Sequence, residues 1–148
     1  MQPDDVFVDF GSGKGRVVYQ AARYPFSRVI GVEISEKLNA VARRNVESKR
    51  DKLLCPRIEL VTADAAEFEI PDDLTVAYFF HPFGGETFKQ VIDNIVESVV
   101  RRPRRVRVIY RIPVMEDYLL SAGRFELVRT TKHKPDNLRR IAIYETKI

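Results

Sequence analysis

An apolar run cut off by three alternating glycines constrains this chain more than any other stretch. Val6-Phe7-Val8-Asp9-Phe10 leads into Gly11-Ser12-Gly13-Lys14-Gly15, and a second apolar run ends in Gly31-Val32-Glu33. Strand, glycine turn, helix and strand in this order are how an open α/β sheet builds a nucleoside-binding crevice. The glycines let backbone approach a ligand closely, and an acid about 20 residues downstream can hold ribose hydroxyls. Glu33 stands at that distance from Gly11.

The glycine spacing separates ligand classes. A dinucleotide fold reads G-x-G-x-x-G, its third glycine letting the helix pack close while its N-terminus meets a pyrophosphate. Here that third position is Arg16, and the glycine comes one residue early, at Gly15. A phosphate-cradling Walker loop fails as well, because Lys14 is followed by Gly15 and no G-K-[ST] run exists.

The rest of the chain keeps an alternating rhythm, which predicts a doubly wound sheet with a mostly parallel strand arrangement. Strands are expected at Val6–Phe10, Arg28–Glu33, Ile58–Thr62, Leu74–Phe80 and Val106–Tyr110. Helices are expected at Arg16–Tyr24, stopped by Pro25, and from a Ser35 cap to about Ser48. A further helix is expected over Glu86–Val100. There Phe88, Val91, Ile92, Ile95, Val96, Val99 and Val100 form a helical stripe, read as core. Pro113 suits the first turn of a last helix and Gly123 its end. Two more strand-like runs, Phe125–Thr130 and Leu138–Glu145, are joined too tightly for a crossover helix and are expected to pair antiparallel.

Asp9-Phe10-Gly11-Ser12-Gly13-Lys14-Gly15 resembles motif I, D/E-x-G-x-G-x-G, of the class I S-adenosylmethionine-dependent methyltransferases. Glu33 matches that family's ribose-binding acid. Thr62-Ala63-Asp64-Ala65 resembles the segment after its third strand, and Tyr78-Phe79-Phe80-His81-Pro82-Phe83-Gly84 the segment that closes its fourth. The resemblance covers nearly the whole chain. It implies a Rossmann-like seven-stranded sheet of order 3-2-1-4-5-7-6 with one antiparallel strand near the C-terminus. It also implies S-adenosylmethionine as cofactor and a single methyltransferase domain over residues 1–148. Relatives usually carry covering helices before the first strand, where this chain has only about five residues.

Carried over residue by residue, the resemblance puts Asp9, Gly11, Ser12, Gly13, Glu33, Ile34, Asp64 and Ala65 on the cofactor. Asp9 would meet the methionine ammonium, Asp64 the adenine amino group, and Ile34 the adenine face, although Ile34 equally reads as plain core. Asp64 also reads as a helix cap, and Gly15 as a packing glycine. Phe80, His81, Pro82 and Phe83 would face the methyl acceptor, with His81 able to accept a proton near neutral pH. Base-amine methylases often show D/N-P-P-Y/F/W here, and this chain keeps one proline and the aromatic. Phe83-Gly84-Gly85-Glu86 is similar to the matching run of the non-SET histone lysine methyltransferases, whose asparagine is missing. Arg111, just past the fifth strand, stands where it could orient an anionic substrate. No metal is expected at the site.

The acceptor expected is a protein amine or a small molecule, with nucleic acid behind both. The net charge of +4 permits an acidic partner without naming one. Arg101-Arg102-Pro103-Arg104-Arg105 and Arg107 lead into a strand, so they belong to the sheet edge opposite the ligand edge and are read as a solvated loop. Lys132, His133 and Lys134 form a second, smaller basic patch. The lone Cys55 permits no internal disulfide, and the chain shows no signal peptide or membrane-length apolar run, which suggests a cytoplasmic protein. The competing readings are a cofactor-binding scaffold without turnover and a nucleotide-dependent oxidoreductase, the latter disfavoured by the early third glycine.

Overall fold

Short β-branched and aromatic runs form the strands, and the glycine turn and serine cap set where the first helices begin. The computed structural model describes residues 2–80, 84–131 and 140–147. It holds one seven-stranded sheet in the order β3-β2-β1-β4-β5-β7-β6. The strands are β1 (Val6–Phe10), β2 (Arg28–Glu33), β3 (Ile58–Thr62), β4 (Val76–Phe80), β5 (Arg107–Arg111), β6 (Phe125–Thr130) and β7 (Ile141–Thr146). Pairs β1–β2, β2–β3 and β4–β5 are parallel, and β7 runs antiparallel to both β5 and β6. That is the sheet expected from the sequence.

The chain divides into two compact units, Met1–Phe68 and Glu69–Ile148. In the first, β1 and β2 are almost wholly buried, consistent with their mostly apolar sequences, and Asp9 and Glu33 are buried with them. Helix α1 (Arg16–Ala22) starts straight after Gly15, whose φ of 85° makes the left-handed turn a side chain would resist. Gly15 also lies against α2 (Glu36–Glu47): a Cβ there would come within 3.0 Å of Ala42 Cβ, which is the packing role. Ser35 caps α2, its hydroxyl accepting the Leu38 amide at 3.1 Å.

In the second unit, α3 (Gly85–Arg101) buries Phe88, Val91, Ile92 and Ile95. Phe88 stacks on Tyr110 at 4.8 Å and meets Phe79 edge-on at 5.1 Å, so α3 covers the sheet face carrying Phe79 and Tyr110. The stripe is narrower than expected. Val100 is 63% exposed, because the helix's last turn carries it off the buried side. The last helix, α4 (Glu116–Ser121), starts three residues beyond Pro113. Ile112 takes φ 56°, and the Met115 amide donates to the Tyr110 hydroxyl at 3.1 Å, so the chain turns before it can wind into a helix. β4 and β5 each begin a residue or two later than expected, and β7 begins at Ile141. Leu138 and Arg139 of the expected last strand lie outside the described residues.

The arginine run before β5 is exposed as expected, except at Arg104, which the fold draws inward. Arg104 donates to the carbonyls of Leu74 (2.7 Å), Ser98 (3.1 Å), Arg102 (2.8 Å) and Pro71 (3.3 Å), and to Ser98 Oγ (2.9 Å). Arg101 pairs with Asp72, and Arg105 and Arg107 both reach Glu145. These cations tie α3, the β3–β4 connection and β7 together. Arg104 is the structural one, because a five-donor guanidinium can serve carbonyls that no backbone amide reaches.

Candidate functional site

The first unit brings the glycine turn and Glu33 together through backbone. The Gly11 and Ser12 amides both donate to the Val32 carbonyl, at 2.8 and 3.0 Å. Glu33 then closes the turn with its side chain: Oε1 accepts the Gly13 amide at 2.8 Å and Oε2 the Ser35 amide at 2.9 Å. The carboxylate thus links the turn after β1 to the cap of α2. Each oxygen keeps a lone pair for a further donor.

Asp9 lies on β1, paired in register with Gly31, and is 3% exposed. Burial, and then the charge of Glu33, push its carboxyl up to about 7. Two acids in a desolvated corner, one near its titration point, form a place that welcomes a cation. Ser12 Oγ is buried with no hydrogen-bond partner among the described residues. A buried hydroxyl without a partner marks a place where a ligand or water completes the set.

The turn leaves room. Gly13 has φ 54°, and a Cβ built there would meet nothing within 4 Å. Gly11 shares the positive φ, at 89°. Ile34, directly after Glu33, is 69% exposed, an apolar side chain left uncovered beside the acids. This corner therefore offers a backbone cradle, an acceptor carboxylate, a cation-attracting acid and an apolar surface. That set fits a nucleoside carrying positive charge.

Asp64 is placed differently. It is exposed, and its Oδ1 accepts the Ala66 amide at 3.0 Å, capping the short 3₁₀ turn Ala65–Glu67. Ala65 itself is buried. The cap reading thus describes Asp64's position in this structure, with its second oxygen left for another donor.

In the second unit, Phe80 ends β4 half-buried and Arg111 ends β5 exposed, the two paired in register. Their side chains meet, with the Arg111 guanidinium carbon 5.1 Å from the Phe80 ring centroid. His81, Pro82 and Phe83 lie outside the described residues, as do Lys132, His133 and Lys134. Cys55 is buried and its thiol pushed up by burial, away from the reactive range.

Sequence reasoning missed Gly31. A Cβ on it would sit 2.8 Å from both Ser12 Oγ and Val18 Cγ2. Gly31 lets α1 and the glycine turn lie flat on β2. A glycine two residues before the strand-ending acid was the only available signal.

A family model described as a methyltransferase domain matches residues 7–102, more than half the chain. The chain belongs to this methyltransferase domain family. No curated protein matches the methyltransferase chain by sequence. Solved structures share its fold at low identity. One is a SAM-dependent methyltransferase from Methanosarcina mazei, at 13% identity and TM-score 0.74, covering 99% of this chain and 94% of that one. Another is an rRNA methylase from Streptococcus thermophilus, at 14% identity and TM-score 0.69, covering 100% and 89%. A third is the magnesium protoporphyrin IX methyltransferase of Synechocystis PCC 6803 with bound SAM, at 18% identity and TM-score 0.67, covering 97% and 69%. Among the described residues, no helix is long and apolar enough to cross a membrane.

Proposed function

We propose that residues 1–148 form one methyltransferase domain that binds S-adenosylmethionine in the corner built by β1, the glycine turn and the end of β2. The observation that carries this reading is the pairing of Asp9 and Glu33, both buried, beside a glycine turn with open space at Gly13. Glu33 holds the ribose hydroxyls, Asp9 faces the positive charge of the methionine end, and Ser12 Oγ gains a partner. Gly11 and Gly13 give backbone access, Ile34 packs on the adenine, and Asp64 with Ala65 borders the adenine edge.

The cofactor, when bound, supplies a methyl group already activated on a sulfonium. The chain's own work is alignment and exclusion of water, so an obvious catalytic dyad is not required. Phe80, His81, Pro82 and Phe83 receive the acceptor, and His81 takes the proton that the attacking group releases. The Phe83-Gly84-Gly85-Glu86 run supports an amine as that group, on a protein or a small molecule. Arg101 pairs with Asp72 and Arg105 and Arg107 share Glu145, which lowers the charge that run offers to nucleic acid without removing it.

Calorimetric titration with S-adenosylmethionine, S-adenosylhomocysteine and NADH tests the reading. Binding of the first two and not the third is expected. Binding of NADH alone would replace the reading with an oxidoreductase. Cofactor binding with no methyl transfer across amine, hydroxyl and carboxylate acceptors would leave a scaffold.

A further inference from the structure

Two arginines stand at one end of the second unit's strands, and the fold treats them oppositely. Arg140, just before β7, is committed: Nη1 and Nη2 grip Glu116 at 2.9 and 2.7 Å, and Nε donates to Thr130 Oγ1 at 2.8 Å. Arg111, at the carboxyl end of β5, is exposed and lies against Phe80 with no carboxylate partner among the described residues. A cation–π contact steadies a guanidinium without neutralising it.

The backbone beside Arg111 is strained and firmly held. Ile112 is β-branched and is the one non-glycine residue among those described with a positive φ, at 56°. Its amide donates to the Arg140 carbonyl at 2.8 Å, and the Val114 amide returns to the Ile112 carbonyl at 2.8 Å. The Arg140–Glu116 pair grips the far end of the same turn, and the Tyr144 hydroxyl adds a 2.5 Å hydrogen bond to Glu116. Strain kept in place by such a staple is characteristic of sites that must hold a side chain in one pose. The side chain so held is Arg111.

We propose that Arg111, steadied on Phe80, receives a carboxylate of the methyl acceptor; this deepens the methyltransferase reading above and rests on it. A guanidinium lying on an aromatic face keeps its N–H edge free, and that planar fork matches a carboxylate. One unneutralised cation suits one negative charge. Tyr78, Phe80 and Ile109 share the same sheet face and are half-buried, giving the body of the acceptor an apolar surface. Ligands of open α/β sheets bind at the carboxyl strand ends, where Phe80 and Arg111 stand. The arrangement selects a small acid over a lysine side chain, whose ammonium the free guanidinium repels.

The test uses the whole chain saturated with S-adenosylhomocysteine, with benzoate as probe and benzamide as its neutral counterpart at constant ionic strength. The readout is the Arg111 Nε–H resonance, assigned by its loss in Arg111→Gln. Benzoate is expected to move it saturably, and benzamide is not. In the Arg111 variants, which lack that resonance, benzoate is followed at the Phe80 amide; Arg111→Gln should weaken benzoate by about tenfold or more, the loss of a charge-assisted pair, with S-adenosylhomocysteine affinity unchanged. Arg111→Lys, which keeps the charge and loses the fork, should recover only part of it. Equal response to benzoate and benzamide, or undiminished benzoate binding in Arg111→Gln, overturns the proposal. S-adenosylhomocysteine binding, read at the Gly13 amide, without any benzoate response overturns the proposal alone. Failure to bind S-adenosylhomocysteine overturns the cofactor reading and this proposal with it.

Discussion

Glu33 holds the Gly13 amide at 2.8 Å with one carboxylate oxygen while the other takes the Ser35 amide at 2.9 Å. The acid proposed to bind ribose is thus also the clasp that shapes the turn. Glu33→Ala removes both acceptors and leaves two part-buried amides unpaired, a loss of about 1–3 kcal/mol. Glu33→Gln keeps one acceptor oxygen and should fall between. Urea unfolding reads the stability cost, and calorimetry with S-adenosylmethionine reads a larger loss of affinity in Glu33→Ala. Unchanged stability in Glu33→Ala would mean the clasp is not formed in solution.

Asp9 should make the chain pH-sensitive. Burial and Glu33 raise its carboxyl from 3.8 to about 7, so between those values the unfolded chain has released a proton that the folded chain retains. Its contribution to stability is therefore full below about pH 4 and is lost as pH rises through 7, a change on the order of a few kcal/mol. Asp9→Asn should flatten that part of the pH–stability curve. Cofactor binding should run the other way, because a cationic ligand favours the ionised carboxylate. Affinity for S-adenosylmethionine should rise as pH climbs towards 7, with proton release visible as a dependence of binding heat on buffer ionisation enthalpy. Affinity independent of pH from 5.5 to 8 would place Asp9 away from the ligand's charge.

Much of this architecture is legible in the sequence because it rests on local signals. The unbroken apolar run Val76–Phe80 and the Ser35 cap need no distant partner to be read. The parts that escaped depend on contacts across the sequence. Arg104 is anchored by the Leu74 and Pro71 carbonyls, some 30 residues away, and no composition rule distinguishes it from the solvated Arg102 beside it. The start of α4 was misplaced because Tyr110 and Arg140 capture the backbone between Ile112 and Met115, overriding the helix-starting preference of Pro113. At the site, the glycine turn and Glu33 could be named from spacing. The use of Glu33 as a clasp could not, since it depends on where the turn's amides point.

Gly31 and Gly13 should separate packing from binding. Gly31→Ala drives a methyl to 2.8 Å from Ser12 Oγ and Val18 Cγ2, an overpacking cost of about 1–3 kcal/mol. Gly13→Ala meets open space, so its cost is confined to the positive φ, about 1 kcal/mol. Thermal melting should rank Gly31→Ala as the less stable. Calorimetry should rank Gly13→Ala as the more damaged in S-adenosylmethionine binding relative to its stability loss, because its methyl enters the ligand's space. The reverse ranking in both assays would remove the glycine turn from the binding site.

Arg104 should behave as a structural residue, against its place in a basic run. It serves four carbonyls and one hydroxyl around the end of α3 and the start of β4. Part of it remains in contact with water, which offsets some of the loss, so Arg104→Ala should cost about 2 kcal/mol and not the sum of five bonds. Arg104→Lys should recover little, because a single ammonium cannot reach carbonyls spread across Pro71, Leu74 and Ser98. Arg102, exposed and carrying no such set, should tolerate alanine within about 0.5 kcal/mol. Denaturant midpoints for the three variants test this directly. Equal, small effects at Arg104 and Arg102 would return the whole run to solvent and reopen it as a surface for anionic partners.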